Sequence, residues 1–418
     1  MFKLKNMTPE KLHSYPDLLY GEIQFTEAEE RILRTPQMSR LKRISLSAVP
    51  DWALPTLTPP TRYEHSRAVA HLARLTGEKL SLKEEIKRDL FFAGLVHDVA
   101  TPPFSHVSEP FQEKITRKNH EQAVESYLLG TELGEEIVSQ GGDLARIIGL
   151  VNGEGEPYGS LINGRSSIDL DNLDNSLRYL RGLGLGQGRF FYSPEKQAKA
   201  YEIYGGKLVL RISPEDLEGW LDCRRETYKF VYSSDNLSPG AMLSRALYFA
   251  EKEEELDNDF FLKDEAEARV YLKNDCNPRT GELIKNMENW ANHYRQIVSL
   301  EATGLDPRWR HLFTGIEPRF RVADEMSSIL GVKPENVCVY FGWDRGYKKI
   351  QIPLLDDKGR FWSADSLLSE KGDLKQRWMV QVYVHPDLKE KKNAIQAAFN
   401  ESVGNICLPI EVKSQVAA

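Results

Sequence analysis

The 418-residue sequence has few cysteines. Its four, Cys223, Cys276, Cys338 and Cys407, stand far apart with no CxxC pair, which argues against a disulfide scaffold or a thiolate metal site. Long apolar runs are missing too. None nears the roughly 20 residues that span a bilayer, and residues 1–23 hold no apolar core of signal-peptide length. A basic excess is also absent: Lys and Arg number 55 against 62 Asp and Glu, a net charge of −7. That balance argues against broad binding to nucleic acid or to an anionic membrane. No internal repeat or low-complexity tract is present. These absences leave a chain expected to be reduced, cytoplasmic and globular, with 41% hydrophobic and 28% charged residues, enough to bury a real core.

The length predicts two or three domains. Helical spacing of apolar residues runs through 28–48, 64–80, 82–97, 120–139, 143–151, 166–182 and 214–232. A proline-rich break is expected at 55–61, and Pro102 and Pro103 stop the helix that ends near His97. The glycine-rich stretch 183–188 follows a helix rather than a strand and lacks a Gly-Lys-Ser/Thr ending, so it reads as a helix exit and not a phosphate loop. Near residue 317 the character changes. Strand-like runs at 337–341, 348–354 and 378–384 surround expected helices at 322–330 and 387–401, while the charged segment 280–300 reads as helix. The expected fold is mainly α: a helical body over 1–316 and a smaller C-terminal α+β module over 317–418.

Five of the nine histidines, His65, His71, His97, His106 and His120, fall within one short part of the chain. Three elements stand out: Arg62-Tyr63-Glu64-His65-Ser66, the pair His97-Asp98, and Ser167-Ile168-Asp169-Leu170-Asp171-Asn172-Leu173-Asp174. Side chains from three helices can converge on one point there. Two imidazoles with two carboxylates form a mixed N/O set that suits a divalent ion such as Mn, Fe, Zn, Co or Ni better than Ca.

These residues, with residues 93–106 and the trio Asn119-His120-Glu121, resemble the HD-domain phosphohydrolases, and within them the deoxynucleoside triphosphate triphosphohydrolase branch. The likeness continues through 223–232 and, more weakly, 333–337. It implies an HD-type helical body and a divalent cation (Mn, Fe, Co, Ni, Zn or Mg) held by His65, His97, Asp98 and Asp171. It further implies Arg62 and Arg224 on phosphate, Tyr232 against the nucleoside, and His120, with Glu109 and His106, near the scissile bond. Asp169 and Asp174 stay outside the metal set as helix-start and supporting carboxylates. His71, six residues after His65, points elsewhere on its helix and reads as structural.

The chain departs from that branch where it names its substrate. Thr101 stands where the branch has a histidine, and Asn172 and Asn175 replace a phosphate-binding lysine and a sugar-packing tyrosine. The pair that monitors the sugar hydroxyls aligns to Leu46 and Ser47. A triphosphate carries about four negative charges, so trading lysine for asparagine weakens that reading. The resemblance therefore implies a nucleotide phosphohydrolase, most like a dNTP triphosphohydrolase yielding nucleoside and tripolyphosphate. A nucleotide-binding sensor with weak turnover and an HD phosphatase or phosphodiesterase on another nucleotide stand as alternatives, with a single-strand nuclease behind them. A homo-oligomer is expected, with no membrane partner. Arg40 and Lys42 read as solvated charges on an N-terminal helix.

Overall fold

The computed structural model describes residues 12–54, 59–155, 157–164, 168–303, 309–313, 315–345, 350–370 and 377–407. Residues 55–58 of the expected proline break, 348 and 349 of an expected strand, and Ser167 lie outside them.

The fold is mainly α, as expected, with a helical body and a smaller α+β module. Helix α1 (Arg62–Lys79) starts at Thr61, whose hydroxyl accepts from the Glu64 N–H while the Glu64 carboxylate accepts from the Thr61 N–H. This reciprocal box satisfies two donors that a helix start leaves open. Helix α2 (Glu84–Val96) ends where the chain turns toward Pro102 and Pro103. The two helices cross closely at Gly94: a Cβ there would lie 3.1 Å from backbone atoms of Val69 and Ala70. Only glycine allows so near an approach without displacing backbone. Beyond them lie α3 (Glu109–Thr116), α4 (His120–Leu128) and α5 (Leu170–Gly182). The segment read as one helix over 120–139 breaks after Leu128, at Gly130 with φ +68°. After α5 the chain leaves through Gly184, Gly186 and Gly188, all at positive φ, which makes 183–188 a helix exit.

Helices α1, α2 and α5 bury Ala70, Leu72, Phe92, Leu95, Leu173 and Leu180 in one apolar core. An N-terminal hairpin, β1 (Leu12–Asp17) and β2 (Gly21–Thr26), adds Ile23 and Phe25 to it. Helices α6 (Pro214–Val231) and α7 (Ser234–Lys252) follow, with a small sheet whose order is β3 (Tyr201–Tyr204), β4 (Lys207–Arg211), β7 (Leu354–Leu355), β8 (Phe361–Trp362).

A second sheet runs β5 (Arg295–Ala302), β9 (Trp378–Val384), β6 (Val337–Trp343), all antiparallel. Its residues alternate between two cores. Val337, Val339, Val382 and Val384 face α8 (Glu317–Leu330) and α9 (Lys392–Cys407), while Cys338 and Tyr383 join Leu243 and Leu247 of α7. Period-two alternation lets one sheet pack on both sides.

Strand pairing and packing run across residue 317 in both directions. The segment 280–300 is α-helical only over Pro278–Glu288, makes a 3-10 turn at Trp290–Asn292, and from Arg295 is a strand of the C-terminal sheet. Conversely, Leu354 and Leu368 return to the core of the helical body. Strand pairing with β9 and with β4 decides both, and neither partner is local in sequence.

Candidate metal centre

His65 lies one turn into α1 and is fully buried. His97 and Asp98 follow α2, and the close crossing at Gly94 carries them to His65. The two imidazoles meet with Nε2 atoms 3.3 Å apart. Asp98 Oδ2 stands 3.8 Å from His65 Nε2 and 3.5 Å from His97 Nε2. Asp171, in the first turn of α5, places Oδ1 2.9 Å from His65 Nε2. His65, His97 and Asp98 form a group of donor atoms within 4.8 Å of one another. Asp171 reaches this group through His65 and is partly exposed.

The other ring nitrogens are occupied. His97 Nδ1 is 2.8 Å from the Gly94 carbonyl, which only accepts, so it carries the proton there. His65 Nδ1 is 2.7 Å from Asp174 Oδ2. Both Nε2 lone pairs are thereby turned toward one another and toward two carboxylates. Such convergence is unfavourable without a positive charge between the donors, and the donor set fits a divalent cation of the borderline class.

The electrostatics agree. Burial opposes a charge on His65, but hydrogen bonds to Asp171 and Asp174 raise its pKa to about 9. Burial keeps His97 below the usual imidazole range. Burial also works against the Asp98 charge, yet Arg62 and both histidines hold its carboxyl far below the ordinary range. Asp171 is likewise lowered, against its burial, by its hydrogen bond to His65.

Around this centre, Arg62 Nη1 donates to both oxygens of Asp98, at 2.9 and 3.1 Å, and Nε to Ser105 Oγ at 3.3 Å. Thr101 is buried and donates its hydroxyl to Asp98 Oδ1 at 3.1 Å. Asn175 donates to Asp171 Oδ1 at 3.1 Å. Both residues that depart from the triphosphohydrolase pattern here support a ligand carboxylate. Asn172 binds Asp169, the N-cap of α5, and its amide oxygen accepts from Arg224.

Glu109 bridges two histidines, His120 through Oε1 and His106 through Oε2 at 2.7 Å. Burial opposes the charge on His120, but Glu109 raises its pKa to about 9. His106 is half exposed and pairs with Glu109. Arg224 Nη2 donates to the Arg345 carbonyl at 2.8 Å, and the Tyr232 hydroxyl donates to the Trp343 carbonyl and accepts from the Arg345 N–H. Arg224 thus spans from Asn172, beside Asp171, to the exit of β6, and Tyr232, just beyond α6, grips the same exit.

His71 pairs with Glu195 at 2.7 Å, away from the centre. Arg40 is not a solvated charge: its guanidinium donates to the carbonyls of Thr101, Phe261, Leu262 and Lys263. Asp174 and Arg178 are more deeply built into the site than the sequence reading allowed. The signal was available, since Asp171, Asp174 and Arg178 at i, i+3 and i+7 share one helix face.

Residues 62–179 match the model of the HD domain. This segment resembles an HD domain. All four candidate metal ligands fall inside it. An uncharacterized protein of Methanocaldococcus jannaschii is 22% identical over 95% of this chain and 85% of its own length. The deoxynucleoside triphosphate triphosphohydrolase SAMHD1 homolog of Dictyostelium discoideum is 24% identical over 38% of this chain, and the match spans only 34% of that enzyme. Among solved structures, a hypothetical protein from Aquifex aeolicus shares the fold at TM-score 0.71 and 23% identity, over 92% of this chain and 100% of its own. The HD match and the donor set together support a metal-dependent HD phosphohydrolase. No helix among the described residues is long and apolar enough to cross a membrane.

Proposed function

We propose that this HD protein is a nucleotide phosphohydrolase of the deoxynucleoside triphosphate triphosphohydrolase type, releasing a nucleoside and tripolyphosphate. One observation carries the reading: two imidazoles with their Nδ1 atoms tied off turn Nε2 toward each other and toward Asp98 and Asp171. When bound there, a divalent cation supplies Lewis acidity toward a phosphoryl oxygen and an acidified water.

The chain's own residues supply the rest. Arg62 places buried positive charge beside Asp98, where an anionic oxygen near the cation would meet it. His120, paired with Glu109, would give a proton to a departing oxygen. His106 holds the other oxygen of Glu109 and so fixes its direction. Arg224 and Tyr232 would have to release Arg345 and Trp343 to reach phosphate and nucleoside. A cytoplasmic location and a homo-oligomer belong to the same proposal.

That last contact also favours a second reading, a nucleotide sensor with little turnover, because the substrate-binding candidates are already engaged. One assay separates them. The stripped protein is reloaded with Mn, Fe, Co, Ni, Zn or Mg and offered dNTPs, NTPs, monophosphates and cyclic nucleotides, with products read by phosphorus NMR. Tripolyphosphate supports the first reading, and orthophosphate points to an HD phosphatase. A folded, metal-loaded protein that binds nucleotide but leaves the whole panel intact supports the sensor.

A further inference from the structure

Behind His65 lies a buried chain of polar groups that ends in the N-terminal hairpin. Asp174 Oδ2 meets His65 Nδ1 at 2.7 Å and accepts from Arg178 Nε at 2.7 Å. Asp174 Oδ1 accepts from the Tyr20 hydroxyl at 2.7 Å and from Arg178 Nη2 at 3.1 Å. Arg178 Nη2 also donates to both oxygens of Asp17, each at 3.0 Å. Asp17 closes the turn between β1 and β2 by accepting the N–H groups of Leu19 and Tyr20, at 2.9 and 3.2 Å. The side chains of Asp17, Asp174 and Arg178 are at most 1% exposed.

Fastening the hairpin does not require this. Ile23 and Phe25 already bury fully against the body, and apolar packing holds a hairpin without the desolvation cost of three buried charges. The chain has direction: it stops at the one nitrogen of His65 that does not face the other donors. Its two carboxylates and one guanidinium sum to one negative charge behind that imidazole. A carboxylate on the far nitrogen fixes a ligating histidine's tautomer and strengthens it as a donor.

We infer that Asp17, Tyr20 and Arg178 are positioning residues of the metal centre, so that the N-terminal hairpin turn sets the strength of cation binding by holding Asp174 against His65. This rests on the reading of His65, His97, Asp98 and Asp171 as a cation site.

The test is metal binding, independent of turnover. The full-length protein, stripped of metal, is titrated with Co²⁺ by calorimetry, with the visible spectrum of the bound ion recorded. Asp174→Asn is expected to weaken binding by about 10–100-fold. Asp17→Asn keeps an acceptor for the turn but loses the charge that holds Arg178, and Tyr20→Phe keeps the shape but loses one bond to Asp174; each should weaken binding several-fold and shift the cobalt spectrum. Glu288→Gln, which disturbs a pair with Lys273 in the second core of the fold, should leave both unchanged. Should Asp17→Asn fail to fold, Tyr20→Phe decides. Wild-type affinity and spectrum in a folded Asp17→Asn or Tyr20→Phe would overturn the inference while leaving the cation site intact. A wild-type protein that takes up no Co²⁺ would overturn the cation reading itself.

Discussion

Arg62 and Asp98 form a buried ion pair at 2.9 Å, both nearly inaccessible to solvent, at the point where α1 begins and α2 has just ended. The arginine does two jobs: it keeps Asp98 ionised, and it closes the gap between two helices that carry the candidate metal ligands. Breaking such a pair from one side leaves a buried charge unmatched. Arg62→Ala is therefore expected to cost about 3–5 kcal/mol in the metal-free protein. Urea denaturation with and without Mn²⁺ checks this, because the added cation should recover part of the loss by matching Asp98.

His120 and Glu109 give the site its pH signature. With the folded pKa raised to about 9, the stability that this pair contributes is fully present below the unfolded imidazole value and is lost as pH rises through about 9. If His120 donates the proton, kcat should hold through neutral pH and fall above about 9. Glu109→Gln removes the partner and should move that upper limb down toward ordinary imidazole values. A pH–rate profile with an NMR titration of His120 reads both.

Gly94 is the packing counterpart. A methyl group in Gly94→Ala would meet Val69 and Ala70 backbone at 3.1 Å, and backbone cannot rotate aside. The helices must part, at about 1–3 kcal/mol, and His97 moves with α2. Reduced thermal stability together with weaker Mn²⁺ binding is expected; lower stability with unchanged metal affinity would separate packing from the site.

Glu265 titrates in the opposite sense to most carboxylates. Burial raises its pKa from 4.5 to about 7, although both its oxygens accept from Ser45, in the loop that also receives Ser105. Its stabilising effect is present below pH 4.5 and is lost as pH rises through about 7. Glu265→Gln should flatten the decline of stability over that interval, measured by urea denaturation at a series of pH values.

Much of this was legible in the sequence, for physical reasons. Helix periodicity and the stop at Pro102-Pro103 located α1, α2 and α5, and the histidine-aspartate spacing pointed to one centre. Strand β5 was not legible: Arg295–Ala302 is mostly exposed and follows a helical segment, and it becomes a strand by pairing with β9. Arg40 gave no local sign that it would cap carbonyls more than 200 residues away. Asp174 was legible as a supporting carboxylate, but its link through Arg178 to Asp17 was not, because that contact joins residues 161 apart in the chain.

The central claim is that His65, His97, Asp98 and Asp171 hold one cation. Equilibrium dialysis of stripped protein against Mn²⁺, with bound metal measured by elemental analysis, tests it most directly. A single saturable ion per chain, lost or strongly weakened in folded His65→Ala, His97→Ala, Asp98→Ala and Asp171→Ala proteins, is the predicted result. Wild-type binding in all four variants, or none in the parent, would contradict it.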